Sequence, residues 1–264
     1  MVKLMECYYP LDAWPAKNPN KNGNYPPVFN REEGQQDCPI KLPCGGCIGC
    51  RANRSRDWAV RNTHENQIVG EGMFINPTYA NEHLPKDWAL SKDPMQKLIK
   101  DIRNEFRETR ISYFLCGEYG TTEVINERTG RPYLGRPHFH IILHGVTFDD
   151  LRPTGQAKSG DILYESDKMQ KLWPYGFSPI GEVTKDSAQY TAQYTMKKIG
   201  GELADEHYYA LDPTTAQEHK VPPEFMLCSN RPAIGRTWFE KYYPDLFKGY
   251  LTINGRKTPL PTMY

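Results

Sequence analysis

Nowhere in this 264-residue sequence do about 18 apolar residues run together, so no transmembrane helix is expected. The first ten residues (MVKLMECYYP) hold neither a long apolar run nor a small-residue cleavage site, so no secretory leader is expected. An excess of one charge is also missing. Thirty-three Lys+Arg against thirty-two Asp+Glu leave +1, which excludes a histone-like protein that grips nucleic acid by bulk positive charge. A local basic groove stays open. No internal repeat and no low-complexity tract occurs. Seven cysteines cannot all pair with one another, which, with no leader, points to a reducing cytoplasm. What is present is the composition of a folded protein, 38% hydrophobic and 25% charged, in a length that suits one large domain or two small ones. Aromatics reach 12%, with seventeen Tyr, enough to matter for a ligand with faces to stack on.

Residues 11–37 are punctuated by Pro, Gly and Asn and read as an irregular arm. A cysteine cluster follows, then a basic stretch from Arg51 that reads as a helix, with Trp58, Ala59 and Asn62 on one side and Arg54, Arg61 and Glu65 on an exposed or ligand-facing side. GMFINPTY (72–79) reads as a strand that Pro77 interrupts. Leu98, Ile99, Ile102 and Phe106 recur at helical spacing after Pro94, giving an amphipathic helix over 94–109. ISYFLC (111–116) and HFHIILH (138–144) are apolar strands with turn residues between them, so a hairpin-like pair is expected. A further strand is expected over 177–183. A helix over 186–198 follows, capped by Asp186 or Ser187 and stopped by Gly200-Gly201. The order implies an α+β fold with one central antiparallel sheet flanked by helices and with irregular N- and C-terminal extensions. The expected organisation is an arm with the cysteines and basic helix (1–66), a core (67–201) and an extension packing on that core (202–264).

Three constellations carry chemistry. His138 and His140 are two apart in a strand, so both imidazoles project from one face while Phe139 and Ile141 point into the opposite core. His144 has the same parity but lies at the strand end. Glu118 follows the neighbouring strand, and two imidazoles with one carboxylate leave open positions on a catalytic metal ion. Tyr190 and Tyr194 are four apart on the expected helix, with Lys197 on the same face and Lys198 beside it. A phenol is a poor nucleophile at its free pKa of about 10, and a neighbouring cation makes it a useful one. Each element also has a bland reading, as a turn histidine, a loop glutamate or a core aromatic pair.

Taken together, Pro137-His138-Phe139-His140 and Tyr190-x3-Tyr194-x2-Lys197 resemble the His-hydrophobe-His (HUH) endonucleases of rolling-circle replication. More closely, the chain resembles the replication initiators of small single-stranded DNA phages, the microviruses of the gokushovirus type. The stretches that carry this are CGGCIGCR (44–51), 58–65, FINPTYANEHLP (74–85), CGEYG (116–120), GRPHFH (135–140), LWPYGFSPIGE (172–182), 190–198 and RPAIGRTWFE (231–240).

The resemblance implies an RRM/ferredoxin-like HUH nuclease core. In it His138 and His140 hold Mg²⁺ or Mn²⁺ with Glu118 as third ligand. Tyr194, or Tyr190 one turn earlier, attacks a phosphodiester of single-stranded viral origin DNA, leaving a 5′-phosphotyrosine link and a free 3′-OH, and Lys197 steadies the charge. Two tyrosines would let the strand be rejoined at termination. With no GxxxxGK[ST] present, unwinding is expected from a host helicase, synthesis from a polymerase, and the site of action is the cytoplasm of the bacterial host. The first family motif departs here: Asn76-Pro77 stands where Thr-Leu is usual, and Pro77 lacks a strand donor.

Cys38, Cys44, Cys47 and Cys50 offer four thiols, with Cys-x2-Cys spacing that fits structural Zn²⁺. Small buried thiols or a redox-sensitive loop are the other readings. Cys7, Cys116 and Cys228 read as isolated core thiols. Arg51, Arg54, Arg56, Arg136 and Lys198 are candidates to follow a DNA backbone. Two other function classes fit parts of the sequence. A non-catalytic single-stranded nucleic-acid-binding module with a structural zinc needs the aromatics and arginines but not the His/Glu/Tyr set. A metal-dependent hydrolase without a covalent step needs no tyrosine.

Overall fold

Proline, glycine and asparagine punctuate residues 11–37 so closely that only short strands fit between them. In the computed structural model, which describes residues 6–157, 159–200, 202–253 and 255–261, this arm is a small sheet. Strand β1 (Leu11–Pro15) lies between β2 (Pro27–Val28) and β3 (Ile40–Leu42), antiparallel to both. Helix α1 (Ile48–Val69) follows. The chain divides into two compact units, one ending at Arg54 and the other beginning at Ser55.

The second unit is built on one large sheet. After β4 (Gly72–Ile75) comes α2 (Asp93–Glu105), with Pro94 in its first turn and Met95, Leu98, Ile99 and Ile102 buried at helical spacing. Strands β5 (Ser112–Asn126) and β6 (Arg131–His144) then form a long hairpin. Both outrun the apolar stretches that reveal them, because their distal halves carry Thr, Glu and Arg facing solvent. Next come β7 (Arg152–Gln156), β8 (Ile162–Glu165), α3 (Asp167–Leu172), β9 (Ile180–Glu182) and α4 (Lys185–Gln193). Residues beyond 201 supply α5 (Glu202–His207), β10 (Tyr209–Leu211), β11 (Glu218–Lys220), β12 (Phe225–Cys228), α6 (Arg236–Tyr242) and a hairpin of β13 (Tyr250–Ile253) and β14 (Arg256–Pro259). The sheet runs β12–β5–β6–β4–β9–β8–β7, antiparallel throughout. The β10–β11 pair joins the distal part of β6, β10 in parallel at Leu134. This is the expected α+β architecture.

Alternation along β6 sorts its residues between two layers. Phe139, Ile141 and Leu143 enter a large core with Met95, Leu98, Ile99 and Ile102 of α2 and Met169 of α3. Ile142 faces a second core with Phe114, Ala188, Tyr194 and Ile234. On that second side, α1 is held by buried polar contacts rather than by an exposed basic face. Glu65 accepts hydrogen bonds from Ser112 Oγ (2.7 Å) and Gly235 N (2.8 Å), and Arg61 Nε donates to Ile234 O (2.9 Å). The expected ligand-facing role of Arg61 and Glu65 is therefore corrected. A helical wheel does not show that the 234–235 segment covers that side.

Helix α4 starts slightly earlier than expected. Thr184, not Asp186 or Ser187, is the N-cap, and Ser187 closes a capping box with it. After Gln193 the chain tightens into a single 3₁₀ turn, Tyr194–Met196.

Candidate metal and tyrosine site

The β5–β6 register sets Glu118 opposite His138 and Cys116 opposite His140, so the carboxylate projects between the two imidazoles. His138 Nε2 lies 2.6 Å and His140 Nε2 2.9 Å from the same Glu118 oxygen, Oε1. The opposite ring nitrogens are committed. His138 Nδ1 sits 3.1 Å from the Arg136 carbonyl, which can only accept, so Nδ1 carries the proton. His140 Nδ1 donates likewise to Asn76 Oδ1 at 2.6 Å. With both Nδ1 atoms donating, two Nε2 lone pairs and a carboxylate oxygen converge on one point. Such a donor set needs a cation there, a metal ion or a proton, and the three ligand atoms lie within 4.8 Å of one another.

Asn76 reaches His140 because of how the Pro77 stretch is held. Ile75 pairs with Ile141, which brings Asn76 alongside His140, and Thr78 bridges to His138. Asn76 and Thr78 donate their N–H groups to Pro179 and Phe177, while the Pro77 carbonyl accepts from Phe139 N. Pro77 thus ends the regular ladder without displacing its neighbours. Gly176 lets the stretch pass, since a Cβ there would lie 2.3 Å from Thr78 O.

Glu118 is 2% exposed. Burial pushes its carboxyl pKa up, but hydrogen bonds from His138, His140 and Lys197 outweigh that and bring it down to about 2. Lys197 forms an ion pair with the second oxygen of the same carboxylate. His140 has its pKa lowered, chiefly by burial, against the pull of Glu118.

The tyrosines complete the site. The Tyr194 ring stacks on His140, with centroids 4.1 Å apart and planes 6° apart, and Lys197 Nζ lies 4.8 Å from its centroid. Tyr190 stands edge-on to both, at 5.3 Å from His140 and 5.1 Å from Tyr194. Their exposures differ: Tyr194 is 8% exposed and Tyr190 46%. Burial foremost, then a hydrogen bond with Tyr190 and the Glu118 charge, hold the Tyr194 hydroxyl well above its ordinary pKa. Six residues singled out in sequence, Glu118, His138, His140, Tyr190, Tyr194 and Lys197, therefore meet in one place. His144 does not join them. It is fully buried, its Nε2 lies 3.0 Å from Asn62 Oδ1, and burial lowers its pKa to about 3.

Beside His138 opens a cavity of ≈ 580 Å³, lined by Tyr79, Trp88, Thr121, Tyr133 and Arg136 among others. The Arg136 guanidinium is braced there by Asn81 Oδ1 (2.6 Å) and Tyr79 O (3.0 Å). Arg56 pairs with Asp57, and Lys198 is exposed beyond the 3₁₀ turn. Arg51 and Arg54 lie on the part of α1 in the first unit, where Arg54 donates to Gly45 O (3.0 Å).

The cysteine cluster differs from the expected set. Cys44, Cys47 and Cys50 come together with Cys7, not with Cys38, which is exposed. The register of β1 and β3 explains the exchange. Leu11 pairs with Leu42, so residues before Leu11 run alongside residues after Leu42, whereas Cys38 lies at the opposite end of the pair. The signal that could have found Cys7 is this long-range pairing, which spacing does not reveal.

Among the described residues no helix is long and apolar enough to cross a membrane. Residues 72–199 match the family model for the replication-associated protein ORF2. The chain is 32% identical over 232 residues to replication-associated protein VP4 of Bdellovibrio phage phiMH2K, covering 84% of this chain and 66% of the relative. It is 34% identical over 211 residues to replication-associated protein ORF2 of Spiroplasma virus 4, covering 74% and 62%. Replication-associated protein ORF4 of Chlamydia phage 1 is 31% identical over 165 residues, covering 60% and 38%. The chain thus spans less than two thirds of the length of each of these relatives. No solved structure matches it significantly. The family-model match contains the whole His/Glu/Tyr site, and the similarity to the relatives reaches well beyond it, so the chain belongs to the phage replication-associated proteins.

Proposed function

We propose that the chain is a replication initiator that nicks single-stranded viral origin DNA through a tyrosine and later rejoins the strand. The observation that supports this best is the placement of two tyrosines, one helical turn apart, against a His/His/Glu set that shares its carboxylate with a lysine. A structural role or simple binding has no need of that combination. In the nicking step a tyrosine Oη bonds to phosphorus and the bond from phosphorus to the 3′ oxygen breaks. The proton lost by the phenol is matched by the one gained at the new 3′-OH. A 5′-phosphotyrosine remains, and the 3′-OH primes synthesis. The second tyrosine is free to attack when the strand is to be closed into a circle.

The residues divide the work. His138, His140 and Glu118 would hold Mg²⁺ or Mn²⁺, which when bound polarises the scissile phosphate. Asn76 and the Arg136 carbonyl fix the imidazole tautomers. Lys197 sets a cation beside the Tyr194 ring and the carboxylate, where phenolate or phosphate charge develops. The cavity beside His138, with aromatic walls and one braced arginine, suits a base and its backbone phosphate. Arg51, Arg54, Arg56 and Lys198 are assigned to the DNA backbone. A host helicase and polymerase would act with the protein in the bacterial cytoplasm.

The test is to incubate the protein with Mn²⁺ and a labelled single-stranded origin oligonucleotide, then denature. A covalent adduct is expected in the wild type and its absence in His138→Ala and in the Tyr190→Phe/Tyr194→Phe double variant. An adduct that persists in either variant overturns the mechanism. Binding without any wild-type adduct makes the chain a non-catalytic DNA-binding module.

A further inference from the structure

The first unit has almost no apolar core. Of its described residues, only Ala13 and Cys50 are buried hydrophobics, and none belongs to any of the three core clusters of the chain. A segment of this size with so little buried apolar surface needs another source of stability, and metal ligation is the usual one without disulfides. All the cysteines are free.

The four sulfurs of Cys7, Cys44, Cys47 and Cys50 lie within 4.8 Å of one another, and Cys7 and Cys47 are 3.9 Å apart. Tetrahedral zinc with Zn–S bonds of about 2.3 Å places its sulfurs about 3.8 Å apart, so little movement closes the set. The backbone is arranged for sulfur that carries charge. Cys44 N donates to Cys7 Sγ (3.2 Å) and Cys47 N to Cys44 Sγ (3.4 Å), while Cys50 N and Tyr8 N both donate to Cys47 Sγ (3.5 Å each). Amide donors aimed at sulfur stabilise thiolates, and thiolates are the metal-binding form. Gly45, at φ +76, makes the left-handed turn between Cys44 and Cys47.

We propose that Cys7, Cys44, Cys47 and Cys50 form a closed structural zinc site that ties the segment before β1 to the start of α1. Four soft thiolates and no oxygen ligand separate this site chemically from the His/His/Glu set, which suits Mg²⁺ or Mn²⁺. The proposal stands apart from the nicking reading. A protein that binds origin DNA without cutting it would hold the same zinc.

The experiment uses the full chain, purified under reducing conditions without added metal. Elemental analysis is expected to find one tightly held zinc per chain, retained in Cys38→Ser and lost in Cys7→Ser. Replacing zinc with Co²⁺ in the wild type should give the near-ultraviolet sulfur-to-cobalt band and the strong visible bands of a tetrahedral tetrathiolate site. That measurement does not depend on any variant folding. Chelation should raise amide hydrogen exchange across residues 6–54, and Zn²⁺ but not Mg²⁺ should restore protection. Zinc lost from Cys38→Ser but kept by Cys7→Ser overturns the ligand set. Iron with acid-labile sulfide, a cobalt spectrum without thiolate bands, or disulfides among these cysteines in the native protein overturns the site.

Discussion

Asn76 Oδ1 lies 2.6 Å from His140 Nδ1 and so decides which nitrogen of that imidazole faces Glu118. An acceptor at Nδ1 keeps the Nε2 lone pair available to a cation, and removal of such a partner typically lowers metal affinity 10–100-fold. Asn76→Ala is therefore expected to weaken Mn²⁺ binding by roughly that factor, measured by calorimetry, with little change in DNA affinity. Unchanged Mn²⁺ affinity would show that Asn76 has no part in orienting the ring.

The tyrosines are not equivalent. Tyr190 is the exposed one, and Tyr194 is packed against His140 with its hydroxyl pKa raised by burial. We expect Tyr190 to make the first cut. Tyr190→Phe should abolish adduct formation on a linear oligonucleotide, whereas Tyr194→Phe should keep the adduct and lose strand rejoining. Peptide mapping of the phosphotyrosine decides it, and a wild-type adduct on Tyr194 reverses the assignment.

Lys197 competes with any metal ion for the Glu118 carboxylate. Lys197→Met frees that oxygen, so Mn²⁺ affinity should rise or hold while the single-turnover nicking rate falls about 100-fold, the scale for losing one charge-stabilising donor. A parallel loss of metal affinity and rate would mean that the lysine only supports the fold.

Acid should weaken the protein before its carboxylates titrate. Burial lowers the pKa of His64 to about 4 and of His144 to about 3, from 6.5. Folding keeps both neutral, and the unfolded chain binds their protons first. The contribution is whole above about pH 6.5 and is lost as pH falls through the interval down to the folded values. At about pH 5 each costs about 2 kcal/mol, at about 1.4 kcal/mol per pH unit. Urea unfolding at about pH 7.5 and about pH 5 should show that loss, roughly halved in His144→Gln. Equal stability at the two pH values would contradict the burial argument.

Much of the site was legible because its spacing follows local geometry. Two histidines two apart must share a face of a strand, and two tyrosines four apart must share a face of a helix, wherever those elements end up. The amphipathic helix around Leu98 and Ile102 was legible for the same reason. Family similarity extended this to the joint set of Glu118, His138, His140, Tyr190, Tyr194 and Lys197.

Tertiary structure alone decided everything that depends on which segments become neighbours. The β5–β6 register put Glu118 between the histidines from mid-strand rather than from a loop end. The β4–β6 register turned the unusual Asn76-Pro77 step into the support for His140. Packing by the 234–235 segment buried Arg61 and Glu65, and the β1–β3 register replaced Cys38 by Cys7. Periodicity records which side of its own element a residue occupies. It carries no record of what lies across from that side, because strand pairing over tens of residues is set by the free energy of the assembled core, and no local pattern encodes it.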